Sequence, residues 1–395
     1  MSGRMAGPGP ALGLLFGLCA FATFTIWYPG AWLGLARDGL LLLTAGYVLM
    51  KEASRPVPAD PAPAAWVLPA VLIWCLFQTG FGVYSSLRSA AASIVYWATS
   101  AALFAVGLLA FRQEAARRRF LEVLTWFACG VVLSSVVLPT LPFELRSDMV
   151  GPFQNRNTYC SFVELTLPLL FWRAEREPGR RWLWLPLAGL FLVSVLRTGS
   201  RAGAVLIVAE VILIAAVFKS RRLVLAPAAI ALASCLAVSP DTLLRRLQFA
   251  DPLVHRREIL ASASEMVAEN ALVGFGPGSF RESYPAYARF DVGRYVNHVH
   301  NDWVEWAVEG GMAVPVLLLA VWIRAFANLP RAPWALGLVA VFLHSLVDYP
   351  MQRFGMACWV WLMLAAAVTQ RGAKARAPAR ESIRQRDQSL ATTKH

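Results

Sequence analysis

About twelve apolar runs, each long enough to cross roughly 30 Å of hydrocarbon, follow one another along the chain. They lie near residues 11–29, 32–50, 65–82, 90–111, 120–140, 158–172, 182–199, 202–218, 222–239, 303–323, 334–347 and 354–370. Composition agrees: hydrophobic residues make up 57% and charged residues 15%, against the roughly 45–50% apolar share of a soluble domain. The expected fold is an all-α polytopic membrane protein of about twelve transmembrane helices.

A formal net charge of +13 invites a nucleic-acid reading, but its distribution argues for topology instead. The basic residues fall in alternate connections: Lys51 and Arg55, Arg112 with Arg117 to Arg119, and Arg173 with Arg176, Arg180 and Arg181. Next come Lys219 with Arg221 and Arg222, Arg324 with Arg331, and the tail from Arg371 to Lys394. Under the positive-inside rule these segments are cytoplasmic, as are both termini, and no nucleic-acid partner is expected. Only Arg4 precedes the first run, and no small-x-small site stands before Trp27 and Tyr28, which predicts a retained span rather than a cleaved signal peptide. Cys19, Cys75, Cys129, Cys160, Cys235 and Cys358 lie one to a span without a CxxC pair, so they read as packing residues.

One connection is long. The chain divides into helices one to nine over 1–239, a non-cytoplasmic loop over 240–302 between the ninth and tenth spans, helices ten to twelve over 303–370, and a basic, disordered cytoplasmic tail over 371–395. Within the loop, Ile259, Leu260, Ala263, Met266 and Val267 fall on one helical face, while Arg257, Glu258, Ser262, Glu265 and Glu269 fill the other. That pattern predicts an amphipathic helix lying along the membrane surface. The stretch GFGPGSF over 274–280 forces a turn; its backbone N–H groups could also face an anion.

Ionisable side chains at the rim of spans are costly unless paired or hydrated, and each is a functional candidate. In RTGSRAG, residues 197–203, Arg201 sits in a tight turn whose small neighbours let a bulky anion approach, and its fork of donors suits phosphate oxygens. The competing reading is an arginine that snorkels to the interface. In YVNHVHNDWVEWAVEGG, residues 295–311, His298, His300 and Asn301 precede Asp302, Glu305 and Glu309, which share one helical stripe and can line a hydrated cavity. A neutral histidine suits removal of a proton from a sugar hydroxyl. Asp302 with Glu305 also matches a capping box, and His-x-His is a metal pair if extended, although no further partner set stands at ligand spacing. FQNRNTYC, residues 153–160, adds Arg156 and Asn157, and HSLVDYPMQR, residues 344–353, adds His344, Asp348 and Arg353. Arg256 and Arg257 either hold lipid phosphate or are solvated charge; Glu164, His344 and the mid-span Glu210 read as structural, charge satisfied by an Arg–carboxylate pair.

TGSRAG, GFGPGSF, NHVHNDWVEWAVEGG and HSLVDYP, set in about twelve spans with one late loop, resemble the O-antigen ligase and O-antigen polymerase superfamily of bacterial polysaccharide assembly. The ligase pattern of His, then Asn, Ser or Gln, nine residues and Gly is met by His300, Asn301 and Gly311, whereas Val314 stands where a small or hydroxylated residue is usual. The resemblance implies a multi-pass protein of the bacterial inner membrane with a periplasmic active site. There a glycan linked to undecaprenyl diphosphate moves, by metal-independent inverting transfer without cofactor, onto lipid A core or another glycan acceptor. Arg201 would hold the diphosphate and His300 would act on the acceptor hydroxyl. His298, Asn301 and Arg156 would support the site or bind the donor; from their own place at the rim, Asn157, Arg256, Arg257 and Asp348 are expected to bind substrate. A polymerase joining lipid-linked repeat units is the alternative, and a transporter or flippase the remote one.

Overall fold

A computed structural model describes residues 9–25, 31–53, 63–137, 150–218, 225–229, 254–289 and 295–370. The main helices are α1 (Pro10–Phe24), α2 (Ala31–Ala53), α3 (Val67–Gly80), α4 (Leu87–Ala110), α5 (Glu114–Val137), α6 (Arg156–Arg176), α7 (Arg181–Thr198) and α8 (Arg201–Val217). They continue with α9 (Val254–Glu269), α10 (Phe280–Ser283), α11 (Asp302–Gly310), α12 (Ala313–Phe326), α13 (Gly337–His344) and α14 (Phe354–Val368). The described residues contain no named strand, and the fold is all-helical. Among the described residues, six segments are long and apolar enough to cross a bilayer: Leu33–Lys51, Pro63–Gly80, Leu87–Ala110, Glu114–Val137, Pro178–Thr198 and Ala313–Arg331. Shorter apolar helices cover Pro10–Phe24, Pro333–His344 and Phe354–Val368. Most of the span expected near 222–239 lies outside the described residues, as do 240–253 and 290–294 of the expected loop and the whole tail over 371–395.

Two helices form the centre. Every residue of α14 is buried, as its all-round apolar sequence requires, and at about 22 Å for 15 residues it is too short to cross lipid by itself. It packs on α4, α1 and α12. Small residues let these backbones approach: a Cβ on Gly355 would lie 2.5 Å from the Ala22 carbonyl oxygen, and one on Gly107 2.6 Å from the Ala365 Cβ. Around α6, buried from Thr158 to Phe171, stand α7, α13, α8 and α5. Such helices can hold polar side chains because protein, not lipid, surrounds them.

The run expected as one span over 303–323 is two helices, α11 and α12. The break falls at Gly311, whose φ of 69° suits glycine and whose Cβ, if present, would lie 2.3 Å from the Leu272 carbonyl oxygen. Likewise α9 turns its apolar stripe onto protein: Ile259, Ala263 and Met266 form a small second core with Phe280, Tyr284, Val299 and Val308. GFGPGSF closes that core, with Phe275 N–H donating to the Val308 carbonyl and Gly276 N–H to that of Glu309. Its later N–H groups meet the protein's own Glu309 side chain, whose carboxyl accepts from Phe280 and Gly278.

The two ends of the bundle are tied differently. Arg117 meets the end of α4 through the Phe111 carbonyl, Arg173 spans from α6 to Thr125 of α5, and Glu177 joins Arg173 to Trp184 of α7. The starts of α6, α8 and α11 and the end of α13 gather at the opposite end, around Asp348.

Candidate active site

Asp348 is the hub. Its carboxylate is 3% exposed and touches groups from four segments. His300 Nδ1 lies 3.2 Å from Oδ1, Tyr349 N–H donates to the same oxygen at 3.0 Å, Asn157 Nδ2 donates to Oδ2, and Arg256 Nη2 stands 3.5 Å from Oδ2. Burial would raise this carboxyl, but the His300 hydrogen bond and the Arg256 guanidinium hold it down to about 2. An ionised carboxylate only accepts, so the Nδ1 proton of His300 must point at Asp348, leaving Nε2 as the acceptor.

His300 is placed by an unusual backbone. It is the one non-glycine residue with positive φ among the described residues, at 59°, a conformation that costs energy and persists where the surroundings impose it. Those surroundings are visible. Val299 N–H donates to Glu305 Oε2 at 2.9 Å, Asp302 N–H to the Ser345 carbonyl at 2.9 Å, and Asn301 caps α11 by accepting from Trp303 and Val304. The capping expected of Asp302 therefore belongs to Asn301, whose amide also donates to the Leu346 carbonyl at 2.8 Å. Asp302 is instead fully buried and accepts from Met351 N–H at 3.0 Å, so of the expected stripe only Glu305 and Glu309 line a cavity.

The two histidines serve different partners. His298 Nδ1 pairs with Glu305 Oε1 at 2.8 Å, and the ring stacks on Tyr349 with centroids 4.3 Å apart; His300 meets the same ring edge-on at 4.9 Å. Tyr349 is a member the sequence did not single out, although its place beside Asp348 in HSLVDYP was the available signal. Among the described residues no group of three or more His, Cys, Asp or Glu is placed to hold a metal ion.

Arg201 connects to this hub through its neighbour. Ser200 caps α8 by accepting from Gly203 N–H at 3.0 Å and donates to Asn157 Oδ1 at 2.7 Å, while the amide of the same Asn157 holds Asp348. Gly203 permits this junction, because a Cβ there would sit 2.6 Å from Cys160 Sγ. Arg201 and Arg156, the first residues of α8 and α6, are both exposed at this end. Arg256 is more committed, donating to the Val347 carbonyl at 3.0 Å besides its ion pair, while Arg257 is exposed on α9. The expected Arg–carboxylate pairing of Glu164 is replaced by His344, 2.8 Å away and wholly buried with it; both Glu210 oxygens are buried with no hydrogen-bond partner.

A multi-pass helical membrane protein with an ionised carboxylate, an imidazole and guanidinium groups converging at one end has the parts for acid–base chemistry on an anionic substrate. Residues 186–319 match the family model described as O-antigen ligase, consistent with the O-antigen ligase and polymerase superfamily that the motifs resemble. That stretch holds Arg201, Arg256, His298 and His300 but neither Asn157 nor Asp348, which the fold supplies from outside it. No curated protein and no solved structure matches the chain.

Proposed function

We propose that the chain is an O-antigen-ligase-like glycosyltransferase, moving a glycan from undecaprenyl diphosphate to lipid A core or a comparable acceptor at the periplasmic face of the bacterial inner membrane. The observation that carries this reading is the His300–Asp348 pair set beside the Arg-bearing starts of α6 and α8. In the reaction, the acceptor oxygen bonds to the anomeric carbon as the bond from that carbon to the diphosphate oxygen breaks. The hydroxyl proton passes to His300 Nε2, and the diphosphate leaves with the electron pair. Single displacement inverts the anomeric centre. Asp348 fixes the His300 tautomer and steadies the imidazolium, Arg256 and Asn157 hold Asp348, and Arg201 with Arg156 neutralises charge growing on the leaving group.

Ligase is favoured over polymerase by the His300, Asn301 and Gly311 spacing. Deleting the gene separates the two: loss of a ligase strands long glycan on the carrier lipid, whereas loss of a polymerase leaves single repeat units. With purified protein, lipid-linked donor and lipid acceptor, His300→Ala and Arg201→Ala should each abolish measurable transfer. Turnover equal to wild type in both variants would remove these residues from the mechanism.

A further inference from the structure

On the far side of Tyr349 lies a cavity of about 330 Å³ that the transfer step does not use. His298 forms part of its wall, so one ring contact separates it from Tyr349 and a second separates Tyr349 from His300. Trp97 and Trp306, with centroids 6.2 Å apart, give it an aromatic side on which an apolar sugar face can rest.

Its polar groups are unevenly spent. The acceptors are occupied: Glu305 takes His298 and Val299 N–H on its two oxygens, and Glu309 takes the N–H groups of Phe280 and Gly278. The donors are not. Trp306 Nε1 and Gln352 Nε2 are buried with no partner, and the Arg353 guanidinium lies over the Tyr349 ring at 5.3 Å with no side-chain hydrogen bond or ion pair among the described residues. Arg281 adds a half-exposed guanidinium, already engaged in part: its Nη2 donates to Ser89 Oγ at 2.8 Å and lies 3.4 Å from Glu282 Oε1. Burial and the Glu305 charge push the Glu309 carboxyl up to about 8, which lessens its repulsion of an anion at neutral pH.

We infer that this cavity is a saccharide subsite for a sugar bearing a carboxylate or phosphate, one unit away from the hydroxyl or anomeric carbon that reacts at His300. The assignment rests on the glycosyl-transfer reading for its neighbour in the chain of sugars, and on the unpaired donors and paired tryptophans for its chemistry. A ligand offering lone pairs and negative charge would pair with the Arg353 guanidinium, which takes no side-chain partner from the protein among the described residues.

Saturation-transfer NMR on the full chain in zwitterionic nanodiscs tests it with glucuronate, glucose 6-phosphate, glucose and inorganic phosphate. At least one anionic sugar should bind about tenfold more tightly than glucose, lose that advantage in Arg353→Gln and Arg281→Gln, and keep it in His300→Ala. The half-exposed Arg281 supplies a variant whose folding is not at stake. Equal signals from glucose and both anionic sugars, binding unchanged in both Arg variants, or inorganic phosphate binding as tightly as the sugar phosphate would each overturn the assignment. Anionic sugars that bind as expected, in a protein that transfers no glycan, leave the subsite standing and sink the glycosyl-transfer reading. Transfer without such binding does the reverse.

Discussion

His300 depends on Asp348 for its tautomer, and Asp348 depends on three other segments for its charge. Replacing Asp348 by Asn keeps the shape but removes the charge, so the Nδ1 proton is no longer demanded; turnover should fall by about 10²- to 10⁴-fold, read with lipid-linked donor and acceptor. The same carboxylate sets a pH dependence. Its folded value of about 2 lies below the roughly 3.9 of an unfolded Asp, so its contribution to stability is present above about pH 4 and is lost as pH falls through 2. Melting curves between those limits should show a drop in wild type that Asp348→Asn lacks. At this scale the sequence exposed the two histidines, the arginines and Asp348 as charges out of place in lipid. It did not pair them, because His300 with Asp348 and Asn157 with Ser200 are contacts between segments far apart in the chain.

For the elements, the decisive event is the break between α11 and α12. Hydropathy runs through it without interruption, which is why one span over 303–323 is the natural expectation, and the reason for the break is steric. Gly311 combines φ 69° with ψ 174°, a region essentially restricted to glycine, and ~1–3 kcal/mol is the usual cost of placing another residue there. Gly311→Ala should therefore lower the melting temperature more than Gly82→Ala, which shares a positive φ of 77° but would meet nothing within 4 Å; equal losses would show that the Leu272 contact is unimportant. Asn301→Ala removes the cap of α11, at a cost of about 0.5–2 kcal/mol, and frees the His300 turn, so activity should fall further than stability. Capping was legible in the sequence only to within a residue, since Asn301 and Asp302 are both good caps and Asp302 is claimed by the Met351 N–H across the bundle.

In the whole molecule, Arg173 and Arg176 stand in the last turn of α6 and Arg324 in that of α12, away from the Asp348 hub, which gathers at the starts of α6, α8 and α11. That this arrangement sets the topology is an expectation for labelling to test. Impermeant thiol labelling of intact cells should mark Ser264→Cys, exposed on α9, and should mark Arg118→Cys, exposed at the start of α5, only after the membrane is opened. Cys19, Cys75, Cys129, Cys160 and Cys358 are buried and should give little background. The reverse pattern would invert the topology and place the site inside the cell. The sequence alone determined that this chain is a helical membrane protein, because apolar run length and the alternation of basic segments are local properties that lipid reads directly. Tertiary structure alone decided which helices are sheathed in protein and which polar groups meet, because a buried carboxylate takes its charge and partners from whatever the fold carries to it.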